Sequence, residues 1–177
     1  MNKVALLIIF SGIIVAIASV GADFRYFRED RGVKIFVVAD DQGLVSLKPI
    51  QPYAYMENGE LVIRFDAKNP GYSGYGMGVG PESRYVFDKV FCISNRAWSG
   101  KRVAVELEVR EPLKNVLRVY SPESPENRSP EESSDRVRIT VDRGEEVCVG
   151  FVIDTSALKL GSYSGEVSIK ASEEDGK

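Results

Sequence analysis

Between residues 33 and 172 the apolar positions recur mostly at every second residue, the period of a strand with one buried face. Nine stretches follow it: "VKIFVVAD" (33–40), "LVSLKP" (44–49), "ELVIRFDA" (60–67), "RYVFDKVFCISN" (84–95), "KRVAVELEVR" (101–110), "NVLRVYS" (115–121), "DRVRITV" (135–141), "EEVCVGFVID" (145–154) and "SGEVSIKAS" (164–172). Turn chemistry separates several of them, at Asp41-Gln42-Gly43, Asn58-Gly59, Trp98-Ser99-Gly100, Arg143-Gly144 and Leu160-Gly161-Ser162. No segment after residue 32 keeps a helical period, although "TSALKLGS" (155–162) has room for one helical turn capped by Thr155 or Ser156. Many short strands with frequent turns predict an all-β domain, a sandwich or a barrel.

Before residue 32 the pattern changes. "VALLIIFSGIIVAIASV" (4–20) is apolar throughout and follows a single Lys3, while Val20 and Ala22 are small residues placed for cleavage after Ala22. That is the layout of a secretory signal peptide. The run is also nearly long enough to stay as a membrane anchor. Either way, the chain beyond Ala22 is expected outside the cytoplasm, in an extracellular or cell-surface location. The predicted organisation is residues 1–22 as signal peptide or anchor, 23–32 as an extended segment, 33–172 as the β-domain and 173–177 as a polar tail.

The segment "DFRYFRED" (23–30) carries more aromatic surface than a frayed terminus needs. If it is extended, Phe24 and Tyr26 share one face and Arg25 and Phe27 the other. A strand of that kind is suited to joining a sheet edge, with backbone bonds binding and alternate side chains entering pockets. Phe24, Tyr26 and Phe27 are therefore the candidate interface residues of a donated strand. The competing readings are a first strand of its own domain and a juxtamembrane spacer.

Composition removes several chemistries. The chain of 177 residues has no histidine, and with it go the commonest general base and the usual zinc ligand. A net charge of -3 without a basic stripe gives no electrostatic case for nucleic acid. Asp40-Asp41 and Glu145-Glu146 are neighbours whose side chains diverge in a strand, which makes them poor acid/base pairs. The first pair could contribute oxygen ligands to calcium, and solvated turn carboxylates are the simpler reading. Trp98, beside Arg96 and Lys101, fits a partner contact or a plug at the end of a sandwich. The glycines of "NPGYSGYGMGVGPES" (69–83) precede a strand and no Lys-Ser/Thr, so the stretch reads as a flexible loop and not a phosphate cradle. The expectation is a non-enzyme without cofactor or resident metal.

Cys92 and Cys148 both lie in alternating strands. They are either bridged, as suits an exported protein, or two separately buried thiols. "SPESPENRSPEESSD" (121–135) reads as a solvated loop, and within it Asn127-Arg128-Ser129 is a glycosylation sequon followed directly by Pro130.

The order of these pieces also carries a resemblance. A leader is followed by a strand ending in Ala-Asp-Asp, then "LVSLKP", "NGELVIRFD", "GVGPESRYVFDKVFCISNRA", "RGEEVCVGFVIDTS" and "LGSYSGEVSIKAS". Over roughly residues 33–171 this resembles a secreted archaeal family of unassigned function related to camelysin/TasA-like biofilm-fibre proteins and archaeal bundling pilins. The resemblance implies a jelly-roll-like antiparallel sandwich behind the N-terminal signal or apolar helix. It further implies a homopolymer, in which the new N-terminal segment of one subunit inserts as a strand into the next. Camelysin is classed as a metallopeptidase, and without a His-Glu-x-x-His motif that activity does not transfer. The alternatives are a pilin-like protein keeping residues 4–21 as a stalk, although Lys3 is followed by Val4 and not by Gly or Ala, and a membrane-tethered domain binding an envelope partner or ligand.

Overall fold

The structure, a computed structural model, describes residues 32–39, 43–71, 78–97, 100–156, 158–159 and 161–174. Ala22, Phe24, Tyr26 and Phe27, the apolar run, Asp40, Asp41 and Trp98 lie outside the described residues, as does the end of the polar tail.

Ten strands form among the described residues: β1 (Val33–Ala39), β2 (Val45–Pro49), β3 (Ala54–Glu57), β4 (Glu60–Arg64), β5 (Arg84–Asn95), β6 (Arg102–Val109), β7 (Leu117–Tyr120), β8 (Arg136–Val141), β9 (Glu146–Asp154) and β10 (Tyr163–Glu174). They make two sheets, ordered β3-β4-β1-β10-β6-β8 and β2-β5-β9-β7. Alternation decides which side chains meet between them. Ile35 and Val37 of β1, Val105 and Leu107 of β6, and Ile139 of β8 project from the first sheet into a core shared with Ile93, Val149 and Phe151 of the second. The opposite face of the larger sheet is a lattice of ion pairs: Arg136–Glu106, Arg138–Glu174 and Lys34–Glu57. This division accounts for the all-β architecture.

Three expectations need correction. The sandwich is not wholly antiparallel, because β1 runs parallel to β10, with Val33 opposite Tyr163 and Ala39 opposite Ile169. A parallel pair needs a long connection, and here almost the whole domain separates the first strand from the last. The final strand continues beyond residue 172: Glu173 and Glu174 still pair with Val103 and Arg102, and Glu174 is held by Arg138. The segment 155–162 does not use Thr155 or Ser156 to cap a helical turn. Asp154 accepts bonds from the Ser156 amide and hydroxyl, and Leu158 N–H reaches the Thr155 carbonyl.

One strand adds to the nine. β3 pairs with β4 across Asn58-Gly59, whose φ values of 54° and 87° are those of a two-residue hairpin turn.

Candidate functional site

The sandwich has two flanks, and they are finished differently. At one, β7 and β8 approach each other. Their inward residues Leu117, Val119, Val137, Ile139 and Val141 are 0–2% exposed. The chain between these strands closes this flank. Ser134 and Val119 exchange both backbone hydrogen bonds, at 2.7 and 3.0 Å, and Ser124 Oγ donates to the Arg138 carbonyl of β8. Glu132 Oε2 accepts from the Arg128 and Ser129 amides and folds the segment over a 3-10 turn at Pro130–Glu132. The expected solvated loop is therefore an ordered cover, with Ser121 and Ser124 buried. Its polar side chains bond its own backbone and that of the strands it crosses, with Ser121 Oγ on the Cys148 carbonyl and Ser124 Oγ on that of Arg138, so it covers an edge without an apolar face. Asn127 belongs to this cover: its Nδ2 donates to the Glu132 carbonyl at 2.6 Å.

At the other flank β2 approaches β3 and β4. Val45 and Leu47 point toward the core yet remain half-buried, as do Leu44 and Tyr53. Met56 lies on the inward face of β3, in register with buried Leu61, and is 47% exposed. At the two ends of β2, Arg96 N–H donates to the Leu44 carbonyl and Ile50 N–H to the Val90 carbonyl. In an antiparallel ladder the bonded residues alternate, so even-numbered positions face β5 and Val45, Leu47 and Pro49 present their backbone outward. Pro49 fits that side because it has no N–H to leave unpaired. Among the described residues no strand pairs with this edge.

Residues 78–95 and 144–155 meet in the structure. Thr155 Oγ1 accepts from the Ser83 amide at 2.9 Å and lies 2.7 Å from the Gly80 carbonyl, to which it donates. Tyr85 Oη accepts from the Gly80 amide at 2.7 Å. The glycine-rich segment is thus pinned at residues 79–83, with Val79 buried, which corrects its reading as a flexible loop there. Its other end is pinned by buried Asn69, whose side-chain amide donates to the carbonyls of Pro52, Tyr53 and Arg64. These are structural roles: each polar atom is spent on the fold.

Cys92 and Cys148 are bridged, directly opposite each other on β5 and β9. Glu146 lies near the sulfurs, but in a disulfide neither is a thiolate available to a metal. Glu146 instead accepts from Lys48 Nζ at 3.1 Å, and Glu145 closes the preceding turn with its amide on the Asp142 carbonyl. On the same outer face Tyr120 lies over Gly150 and donates to Asp88 Oδ1 at 2.8 Å. Burial, then the bond to Asp88, pushes its phenol well above the usual tyrosine range. A shallow depression is lined by Arg84, Arg118, Glu131 and Asp154. Its charges are largely matched internally: Asp154 is held below the usual carboxylate range by the hydroxyl and amide of Ser156, and then by Arg118 and Arg84.

Among the described residues, the geometry singles out the edge of β2. Sequence reading named the donated segment and no acceptor; Val45, Leu47 and Met56 were invisible as site residues because ordinary strand positions look the same whether or not a neighbour covers them. Among curated proteins, none matches the sequence. Residues 37–175 match the family described as "Protein of unknown function (DUF1102)", and the chain belongs to that family.

Proposed function

We propose that the chain is a secreted structural subunit of an extracellular filament or biofilm matrix, assembling head-to-tail by donating its N-terminal segment as a strand. One observation carries this reading. β1 is paired on both sides, with β4 and β10, and both pairings stop at its first residues: Tyr163 N–H donates to the Gly32 carbonyl and Phe65 N–H to the Val33 carbonyl. The segment before Gly32 therefore has no vacant position beside β1 in its own sheet. Its aromatic alternation suits a place in another molecule. A head-to-tail contact of this kind is heterologous and propagates instead of closing.

Further features support the reading. The Cys92–Cys148 bridge agrees with an oxidising compartment outside the cytoplasm. The order β10-β6-β8 in one sheet and β5-β9-β7 in the other, all antiparallel neighbours, supports a jelly-roll-like topology in which β1 is an added strand. The role is non-catalytic and needs no cofactor.

The test is electron microscopy of the exported protein, with its N-terminus sequenced, beside a variant lacking residues 23–31. A start at Asp23 with fibres only for the complete protein is the expected result. Identical fibres from both, or fibres from neither, would overturn strand donation, and a start at Met1 with no fibres would leave a tethered surface domain.

A further inference from the structure

Resting on the strand-donation reading, we infer that the acceptor is the edge of β2 that no described strand covers, together with the half-covered apolar side chains between β2 and Met56, and that its occupant is residues 23–31 of a second copy. The backbone requirement is met at the edge itself. Val45 and Leu47 each present an outward N–H and C=O, and Pro49 an outward C=O, because Leu44 and Ile50 fix the ladder to β5 on the even positions. An incoming strand would satisfy these groups without disturbing any existing bond.

The side-chain requirement is met behind that edge. Leu47 and Met56 point between the sheets but are incompletely covered. Half-buried Tyr53 continues the surface into an aromatic group in which it lies 4.8 Å from Phe87 and 5.4 Å from Phe65, measured between ring centroids. If the segment is extended, Phe24 and Tyr26 share one face and have the spacing to pack on this apolar surface while the intervening Arg25 stays outside. At about 3.3 Å per residue the nine-residue segment spans roughly 30 Å, ample for the five residues of β2.

The same lengths favour a second molecule. From Gly32, a chain returning to its own β2 would have to pass β4 and β3 and then change sheets. With strands about 4.8 Å apart and sheets about 10 Å apart, that detour takes up about 20 Å of the roughly 30 Å the segment spans. A neighbour's segment arrives with its whole length free to pair. At the opposite flank, among the described residues, the edge of β7 is already engaged, since Ser134 bonds Val119, and Ser124 reaches the Arg138 carbonyl of β8.

Mixing separates the acceptor from the donor. The donor-defective variant carries Phe24→Asp and Tyr26→Asp. One acceptor-defective variant carries Val45→Pro, which removes an outward N–H, and a second carries Met56→Asp, which charges the apolar surface at an exposed position so that folding does not decide the outcome. Circular dichroism reports folding, and light scattering the mass of the exported chain. The expected result is elongation of the unaltered protein, at least a tenfold loss of assembled mass for each variant alone, and a species of two copies, no longer, when donor-defective and acceptor-defective chains are mixed. If folded acceptor variants elongate like the unaltered protein, or the mixture stays monomeric while the unaltered protein elongates, the β2 assignment is wrong and strand donation stands. If the unaltered protein itself does not elongate, both fall together.

Discussion

At the β7/β8 flank an inward valine, Val119, is fully buried; at the β2/β3 flank an inward methionine, Met56, is nearly half exposed. Both positions obey the same alternation, and both sheets end there in a short strand. The difference is the chain that crosses one flank and, among the described residues, not the other. A segment rich in Ser, Pro and Glu seals an edge with one backbone bridge and a few side-chain bonds, and it needs no apolar face of its own. Soluble sandwiches normally blunt every edge. An edge left open beside half-covered apolar side chains is the feature a partner strand would exploit.

Matched truncations give the comparison its largest expected effect. Leu117→Ala, at the sealed flank, removes a fully buried side chain and should cost about 2–5 kcal/mol. Met56→Ala should cost under about 1 kcal/mol in the monomer, because its side chain is already half in water. Urea unfolding of both variants measures this directly. Equal losses would mean that the β2/β3 flank is as well packed as its opposite, and the description of its apolar side chains as half-covered would have to go.

The disulfide tests how the open flank is held. β2 has one ladder partner, β5, and the bridge ties β5 to β9 across a separation of 56 residues. Replacing both cysteines by alanine should cost about 2–4 kcal/mol. Hydrogen exchange should then accelerate at the Ser46 and Lys48 amides before those of β8, which is fastened to β6 and covered by the 121–135 segment. Uniform acceleration at both flanks would show that the bridge acts on the whole domain and has no special bearing on β2.

Much of this architecture could be read from the chain. The twelve residues of β5 coincide with the alternating run 84–95, and the inward positions of β6, β8 and β9 are those the alternation indicates. β3 escaped because four residues are too short for a period and Pro52 obscures its start. Its signal was Asn58-Gly59, a hairpin turn that demands a strand on each side. The parallel pairing of β1 with β10 has no local signature, since period 2 states a face and not a neighbour. The cover at 121–135 is hidden for a related reason: Ser, Pro and Glu predict solvation until their hydrogen bonds are counted. The edge proposed as acceptor was beyond sequence reading altogether, because it is defined by what, among the described residues, does not lie beside β2.

Tyr120 supplies a smaller and pH-dependent effect on the sealed side. Its raised phenol pKa means that the folded protein keeps the proton when the unfolded chain has begun to lose it. Stability from this group is complete below the ordinary tyrosine range and falls as pH climbs above it. Tyr120→Phe should cost about 1 kcal/mol at neutral pH through the lost bond to Asp88 and should reduce the alkaline loss. In a spectrophotometric titration one tyrosine should ionise only as the protein unfolds. If that delayed fraction persists in the variant, it belongs to another residue.

The smallest expected effect is the most specific to the comparison. Glu132 accepts the Arg128 and Ser129 amides and so shapes the segment that carries Ser134 to Val119. Glu132→Ala sits on the surface and should cost only about 0.5–1 kcal/mol. Its consequence should be local. The Val119 amide, bonded to the Ser134 carbonyl at 2.7 Å, should exchange faster, while the outward amides of Val45 and Leu47, which bond nothing among the described residues, should exchange as before. Unchanged protection at Val119 would show that the backbone bridge closes β7 by itself and that the carboxylate only decorates the turn. Faster exchange there would show that an edge as exposed as β2's is held back at the other flank by a single glutamate-braced turn, and that the two flanks differ by a handful of polar contacts on a common frame.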